Sequence, residues 1–182
     1  MNRTSYDSIR VCAFGTFDVL HLGHLRYLEE AKKLGGPNAE LVVVVARDSS
    51  VNRFKGDPPV FPEQHRVALV AGLKPVDYAV LGHEGPDKFA IIVELQPQIL
   101  AIGHDQWVDI PRLREELQRR SLENIDIRRL PKVEDELGSS TSIKKRIAAR
   151  VTQQEAKNSE ENRQDIAERI NVDILMMHSV IF

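Results

Sequence analysis

A continuous run of aliphatic, mostly β-branched residues, Leu41 to Ala46 (LVVVVA), is the feature that most restricts the fold of this chain. Such a run has no polar face, so it is typical of a central strand in a parallel sheet that is covered on both sides. Shorter apolar runs and helical stretches alternate from Ile9 onward. This alternation indicates a parallel sheet with helices on both faces. We therefore predict an α/β fold, with a doubly wound, Rossmann-like sheet of five parallel strands.

The positions of the individual elements follow from these runs. Strands are expected at Ile9–Phe14, Leu41–Ala46, Tyr78–Leu81, Gln98–Ile102 and Ile125–Leu130. Helices are expected at Leu22–Leu34, Pro62–Leu73, Asp87–Leu95, Pro111–Arg120 and from Ser139 onward. The segment that carries Lys55 and Pro58 is expected to be a loop, since the next helix begins only at Pro62, where proline is well tolerated.

The character of the sequence changes after Arg150. The segment QQEAKNSEENRQDIAERI is polar and permits a helix, whereas the terminal VDILMMHSVIF is mostly apolar but too short to cross a bilayer. We predict a main domain of residues 1–150 and a C-terminal helical and apolar extension of residues 151–182. The apolar end is expected to pack on the domain or on a partner subunit, because this would remove its apolar surface from water.

Composition and charge argue against several classes of protein. The 182 residues fit one domain with a short appendage, and a formal net charge of -2 provides no general attraction for nucleic acid or anionic membranes. Cys12 is the one cysteine, so an intramolecular disulfide and a cysteine zinc cluster are both excluded. We find no secretory signal and no stretch near the roughly 20 apolar residues of a membrane span. A cytoplasmic protein is expected.

The segment GTFDVLHLGH, residues 15–24, carries the candidate chemistry. It follows the first strand and begins the first helix, where doubly wound sheets bind ligands. Gly15 permits a close turn, the amides at the helix start attract phosphate, and Gly23 between two histidines leaves room for an anion. Imidazoles donate hydrogen bonds to phosphate oxygens and become stronger donors when protonated. We therefore predict a phosphate site in which His21 and His24 are catalytic.

The chain resembles the nucleotidyltransferases with an HxGH signature, and in particular their cytidylyltransferase-like branch. GTFDVLHLGH matches the GTFD…HxGH pattern of that branch without a break, and GSSTSIKKR at residues 138–146 is similar to its ISSTxI element. The segments ARDSSVNRFKG, PEQHR, LKPVDYAVLG and AIGHDQ are most similar to the archaeal FAD synthases. The resemblance extends from about Arg10 to Arg150. It implies that AMP is transferred from ATP to FMN and that pyrophosphate is released.

The resemblance also implies roles for individual residues. The implied nucleotide site consists of Gly15, Thr16, Phe17, His21, Leu22, Gly23, His24, Asp105, Ser139, Ser140 and Thr141. In this site Asp105 would contact the nucleoside, and the hydroxyl residues at 139–141 would bind the β- and γ-phosphates or cap the last helix. Lys55 and Arg66 are further candidates for phosphate binding, with plain surface positions as the alternative. A divalent cation, Mg²⁺ or another, would be bound mainly through the ATP phosphates rather than through protein ligands.

Two other functions stay open at this point. The same segments are similar, less closely, to glycerol-3-phosphate cytidylyltransferase and to the adenylyltransferase that activates heptose phosphate. A nucleotide-binding protein without turnover is the second alternative, although both histidines and the SST element are intact. The expected partners are the small molecules ATP and FMN, with no nucleic acid and no membrane. A homodimer is expected, because the resembled families are commonly homodimers.

Overall fold

A sheet of five parallel strands forms the centre of the fold. In the computed structural model, residues 8–132 and 139–180 are described, with side chains described throughout these ranges except at positions 55, 165 and 167–180. The strands are β1 (Arg10–Gly15), β2 (Glu40–Val45), β3 (Tyr78–Leu81), β4 (Ile99–Ile102) and β5 (Asp126–Arg129). Their order across the sheet is β3-β2-β1-β4-β5, and every neighbouring pair is parallel. The predicted five-stranded, doubly wound architecture is confirmed.

The described residues form six helices. They are α1 (Leu22–Lys33), α2 (Asp48–Lys55), α3 (Glu63–Ala71), α4 (Ala90–Leu95), α5 (Ile110–Arg119) and α6 (Ser140–Val180). Four of the five predicted helices begin within one residue of the predicted start. The helix α3 ends two residues before its predicted end, at Ala71, and α4 begins later than predicted, at Ala90. The prediction of a loop at Lys55 is wrong, because α2 ends there.

Alternate residues of the central strands pack against helices on opposite faces of the sheet. Val11 and Val43 belong to a core that includes Leu28 of α1 and Val70 of α3. The other faces of β1 and β2 belong to a second core, which includes Leu113 of α5 and residues of α4. Because side chains alternate along a strand, a strand covered on both faces must be apolar throughout. This explains the uninterrupted apolar run of β2.

The C-terminal part is one continuous helix. The chain divides into two compact units, Met1–Ser140 and Thr141–Phe182. The predicted limit at residue 150 lies inside α6, and the division into 1–150 and 151–182 stays a prediction. The side chains of the apolar end lie outside the described residues, so its packing stays a prediction too. Among the helices that the structure describes, none is both long enough and apolar enough to cross a bilayer.

Candidate active site

The strand order places the candidate site at the carboxyl ends of β1 and β4. The chain passes from β1 to β2 on one side, while β4 lies on the other side of β1, so the connections diverge between these two strands. In doubly wound sheets, ligands bind in the crevice at this switch point. The segment 15–24 follows β1, and the loop that carries Asp105 follows β4. The two predicted parts of the site therefore share one edge of the sheet.

Two side chains replace strand-to-strand hydrogen bonds where β1 and β4 separate. The hydroxyl group of Tyr27, from α1, accepts the N–H of Phe14 at 3.3 Å and donates to the carbonyl of Ala101 at 2.9 Å. The side-chain amide of Gln106 donates to the carbonyl of Phe14 at 2.5 Å. Burial raises the pKa of Tyr27, so this hydroxyl keeps its proton. Sequence analysis identified neither residue, although Tyr27 lies one helical turn after His24 and so shares its helix face.

The loop between β1 and α1 has a strained backbone that surrounding contacts hold in place. Phe17 and Val19 adopt positive φ angles of 52° and 49°, which aromatic and β-branched residues rarely do. The ring of Phe17 is only 2% exposed. A Cβ atom on residue 15 would lie 2.8 Å from that ring, so Gly15 is required for this packing. The sequence predicted glycine here for a close turn, and the structure shows in addition that the ring of Phe17 packs against it.

The two histidines of the signature lie face to face at the start of α1. The rings of His21 and His24 stack with centroids 3.8 Å apart, and the Nδ1 atom of each ring is buried. Phe17 packs against His24 with a centroid distance of 5.3 Å, and Tyr27 stacks on Phe17 at 6.4 Å. A column of four rings therefore runs from Tyr27 at the base of the crevice to His21.

The start of α1 is suited to bind an anion. His21 is the N-cap residue, but its side chain does not cap the helix, and the first turn contains no acidic residue. The first intrahelical hydrogen bond is donated by His24 to the carbonyl of His21. The N–H groups of Leu22 and Gly23 precede that bond, so they are available to a ligand, and the helix dipole favours negative charge there.

Asp18 and Ser140 connect the signature to other segments. The carboxylate of Asp18, which is 5% exposed, accepts the N–H groups of Val60 and Phe61, each at 3.0 Å. The hydroxyl group of Ser140 donates to the carbonyl of Asp18. Ser140 therefore lies beside the signature, and its predicted role in nucleotide binding stays a prediction. The roles of Ser139 and Thr141 stay predictions.

The position of Arg66 differs from both readings of the sequence, a phosphate ligand or a surface residue. Its side chain is completely buried. It donates hydrogen bonds to the carbonyls of Thr16, of Ala46 at 2.7 Å and of Phe61 at 3.0 Å, and to Asp48 at 2.6 Å. A fully buried guanidinium has no surface left for a ligand, so Arg66 holds the signature loop through the carbonyl of Thr16 and is not exposed to a phosphate. The side chain of Lys55, the other candidate, lies outside the described residues.

The loop after β4 presents two exposed side chains. The side chain of Asp105 is 75% exposed, with one oxygen 3.8 Å from Nδ1 of His104. Trp107 is 91% exposed. The guanidinium of Arg129 holds the loop by donating to the carbonyls of Gly103 and Gln106 at 2.9 and 2.8 Å. Asp105 is thus accessible on a fixed loop at the edge of the sheet where the signature lies.

Comparison with known proteins gives one consistent result. The family model described as cytidylyltransferase-like matches residues 12–146. An FAD synthase from Archaeoglobus profundus is 52% identical over 139 residues, which cover 76% of this chain and 86% of that protein. An FAD synthase from Thermoplasma volcanium is 47% identical over 76% of this chain and 94% of that protein.

A solved structure has the same fold. The crystal structure of a lipopolysaccharide core biosynthesis protein from Thermoplasma volcanium superposes with a TM-score of 0.64 at 47% identity. The match covers 69% of this chain and 98% of that structure. The switch-point crevice, the stacked histidine pair and these similarities agree, and the chain belongs to the cytidylyltransferase-like family of nucleotidyltransferases.

Proposed function

We propose that this protein is an FMN adenylyltransferase, which transfers AMP from ATP to FMN and releases FAD and pyrophosphate. The observation that carries this proposal is an intact HxGH site, at the switch point of the sheet, in a chain that is 52% identical to an FAD synthase over 86% of that protein's length. Further FAD synthases are between 44% and 52% identical to the chain. The glycerol-phosphate and sugar-phosphate alternatives are not favoured by these relatives.

The chemistry requires positioned donors and no covalent nucleophile. An oxygen of the FMN phosphate attacks the α-phosphorus of ATP in line, and the bond from that phosphorus to the leaving pyrophosphate breaks. His21, His24 and the amides at the start of α1 stabilise the negative charge that develops on the phosphate oxygens. Because Nδ1 is buried in both rings, we assign Nε2 of each histidine to the phosphates.

The proposal assigns roles to the other predicted residues as well. Asp105 is assigned to the nucleoside, and the segment Ser139–Thr141 to the β- and γ-phosphates. Since the hydroxyl proton of Ser140 is donated to the carbonyl of Asp18, we assign the backbone N–H of Ser140 to phosphate. Lys55 stays a candidate phosphate ligand on the basis of the sequence.

A divalent cation, Mg²⁺ or another, is expected to be bound mainly through the phosphates of ATP. Within residues 8–132 and 139–180, no three His, Cys, Asp or Glu side chains form a group that could hold a metal ion. Mg²⁺ is commonly bound through substrate phosphates with few protein ligands. We therefore propose that the ATP phosphates would hold the cation, which would neutralise part of their charge.

The experiment measures pyrophosphate release from ATP and from CTP with FMN, glycerol 3-phosphate or a sugar phosphate as acceptor. We expect release with ATP and FMN, and we expect His24→Ala to lower kcat by about 100-fold or more, as removal of one preorganised donor does elsewhere. His65→Ala removes an exposed histidine of α3 and serves as the control. Release with another acceptor alone would contradict the assignment of FMN, and no release with any acceptor would contradict the transferase itself.

We further propose that the protein is a cytoplasmic homodimer. The resembled families are commonly homodimers, which supports the dimer. The single cysteine is buried, and so low a cysteine content supports a cytoplasmic location. Sizing of the purified chain in solution checks the oligomeric state.

A further inference from the structure

Two charged side chains are buried in the part of the chain that the structure describes, and both bind the same peptide segment. Asp18 is 5% exposed and Arg66 is fully buried. One oxygen of Asp18 accepts the N–H of Phe61, and Nε of Arg66 donates to the carbonyl of Phe61, both at 3.0 Å. Burial of a charge is costly unless its hydrogen bonds are satisfied. Together the two side chains fix the position of the peptide segment around Phe61.

The remaining donors of Arg66 join the ends of the two central strands. Arg66 donates to the carbonyl of Thr16, in the signature, and to the carbonyl of Ala46, which directly follows β2. The N–H of Ala46 in turn donates to the carbonyl of Gly15 at 2.9 Å. A guanidinium offers five N–H groups in a rigid, planar fork, so it can bind several carbonyls at once where the single ammonium of lysine cannot span them.

The bond to Thr16 determines which way the next amide points. In a trans peptide, the carbonyl of one residue and the N–H of the next point in opposite directions. Because the carbonyl of Thr16 is directed toward Arg66, beneath the loop, the N–H of Phe17 is directed away from Arg66. This amide belongs to the segment predicted to bind phosphate. The orientation of a phosphate donor thus depends on a side chain 50 residues further along the chain.

Arg66 is itself held by an acidic pair at the starts of α2 and α3. Asp48 accepts from Arg66 at 2.6 Å with one oxygen and from the N–H of Glu63 at 3.1 Å with the other. Glu63 accepts the N–H of Asp48 at 2.8 Å, so each helix caps the other. Its second oxygen accepts from Arg47 at 2.7 Å. The guanidinium of Arg66 therefore has a fixed anionic partner on the side away from the signature.

We propose that Arg66 and Asp18 are positioning residues for the transfer reaction, and that they orient the Thr16–Phe17 peptide so that the N–H of Phe17 faces the phosphates of the nucleotide. This inference rests on the proposed function for the identity of the nucleotide. Neither side chain touches substrate, and each acts through the backbone of the signature loop. A preorganised amide stabilises the transition state without a reorganisation cost. The function of the two buried charges is to keep this amide oriented.

Arg66→Lys is the test, because it keeps the charge and removes the fork. At a temperature where the variant is folded, we expect the Kd for ATP with Mg²⁺ to rise, or kcat to fall, by at least tenfold. Hydrogen exchange should accelerate in peptides that cover residues 15–24 and 59–62 and not in those that cover β5. Arg10→Lys is the matched control. Arg10 also donates to a carboxylate and a carbonyl, those of Glu40 and Leu95, but at the opposite end of β1.

The outcomes separate positioning from a general structural role. Arg10→Lys should lower the melting temperature and leave exchange in residues 15–24, the Kd for ATP and kcat within twofold of the parent. The same result for Arg66→Lys would overturn the proposal. If Arg66→Lys does not fold, Asp18→Asn decides by the same measurements, since an amide cannot accept both N–H groups that Asp18 binds. Failure of the parent to make FAD would refute the proposed function, while ATP binding and exchange would still test the positioning.

Discussion

The hydroxyl group of Tyr27 lies between the two strands that border the crevice, and its removal should measure how much this contact stabilises the fold. Tyr27→Phe deletes the group that accepts from Phe14 and donates to Ala101 and keeps the ring. The variant leaves a buried N–H and a buried carbonyl without this partner. Each unsatisfied buried group costs about 1–3 kcal/mol. Since the contact to Phe14 is long, at 3.3 Å, we expect a total loss of about 2–3 kcal/mol in the free energy of unfolding.

Thermal and urea denaturation measure this loss. For a chain of this size, 1 kcal/mol corresponds to about 2–4 °C, so the melting temperature should fall by about 4–12 °C. The ring still stacks on Phe17, which packs against His24, so kcat at 25 °C should change only a fewfold. An unchanged free energy of unfolding would refute the bridging role of the hydroxyl. A large loss of kcat at unchanged stability would refute the argument that the ring alone maintains the column.

The pH dependence of the same variant gives a second check. Burial raises the pKa of Tyr27, so in the folded protein the hydroxyl stays protonated above its ordinary value of 10. The unfolded chain loses this proton at a lower pH, so the folded state loses stability as the pH rises above 10, by about 1.4 kcal/mol per pH unit. The side chain of the Tyr27→Phe variant has no hydroxyl group to titrate, so the stability of the variant does not fall for this reason. The difference in stability between parent and variant should therefore shrink above pH 10, and a constant difference would contradict the assignment.

Two further predictions concern residues 12 and 15. Gly15→Ala should lower the rate of pyrophosphate release at least tenfold and cost about 1–3 kcal/mol, because the new Cβ would lie 2.8 Å from the buried ring of Phe17 and displace His24 with it. Gly72→Ala, whose Cβ would meet nothing closer than 3.5 Å, is the control, and parental activity of Gly15→Ala would contradict the packing. Burial raises the pKa of Cys12 to about 12, so a thiol reagent at pH 8 should label the native protein far more slowly than the urea-unfolded chain. This shift also predicts a loss of stability from pH 9 toward pH 12, and equal labelling rates would refute both statements.

The sheet was predictable from sequence because the amino-acid composition of a strand reflects which of its faces are covered. The β2 run is apolar at every position since both of its faces are covered, and no other common environment for so short a segment requires this. The short helix α2 lacked such a signal. Among the residues of α2 with described side chains, Val51 is the one that is buried, and Phe54 is 77% exposed, so no apolar stripe marks the helix.

The candidate site was predictable only where its residues are close in sequence. His21 and His24 lie one turn apart at a helix start, so their proximity follows from their spacing. The contacts of Arg66 with Thr16 and of Tyr27 with Ala101 join residues 50 and 74 positions apart. Such contacts depend on how each helix is rotated against the sheet, which local periodicity does not determine. The prediction for Arg66 failed for this reason. Its position on the helix that begins near Pro62 was predicted correctly, but its side chain points into the protein and not toward the surface.

The buried charges of Arg66 and Asp18 help to hold the signature loop in its strained conformation. Three successive residues of the signature are each held by a different kind of contact: the carbonyl of Thr16 by Arg66, the ring of Phe17 by close packing against Gly15, and the carboxylate of Asp18 by two backbone amides. A backbone with positive φ at a phenylalanine persists only where its surroundings over-determine it. In-line transfer requires amide donors that are oriented before the charge develops. A loop held at three consecutive points meets that requirement, and for this reason the buried Arg66 and Asp18 belong to the function of the site as well as to its stability.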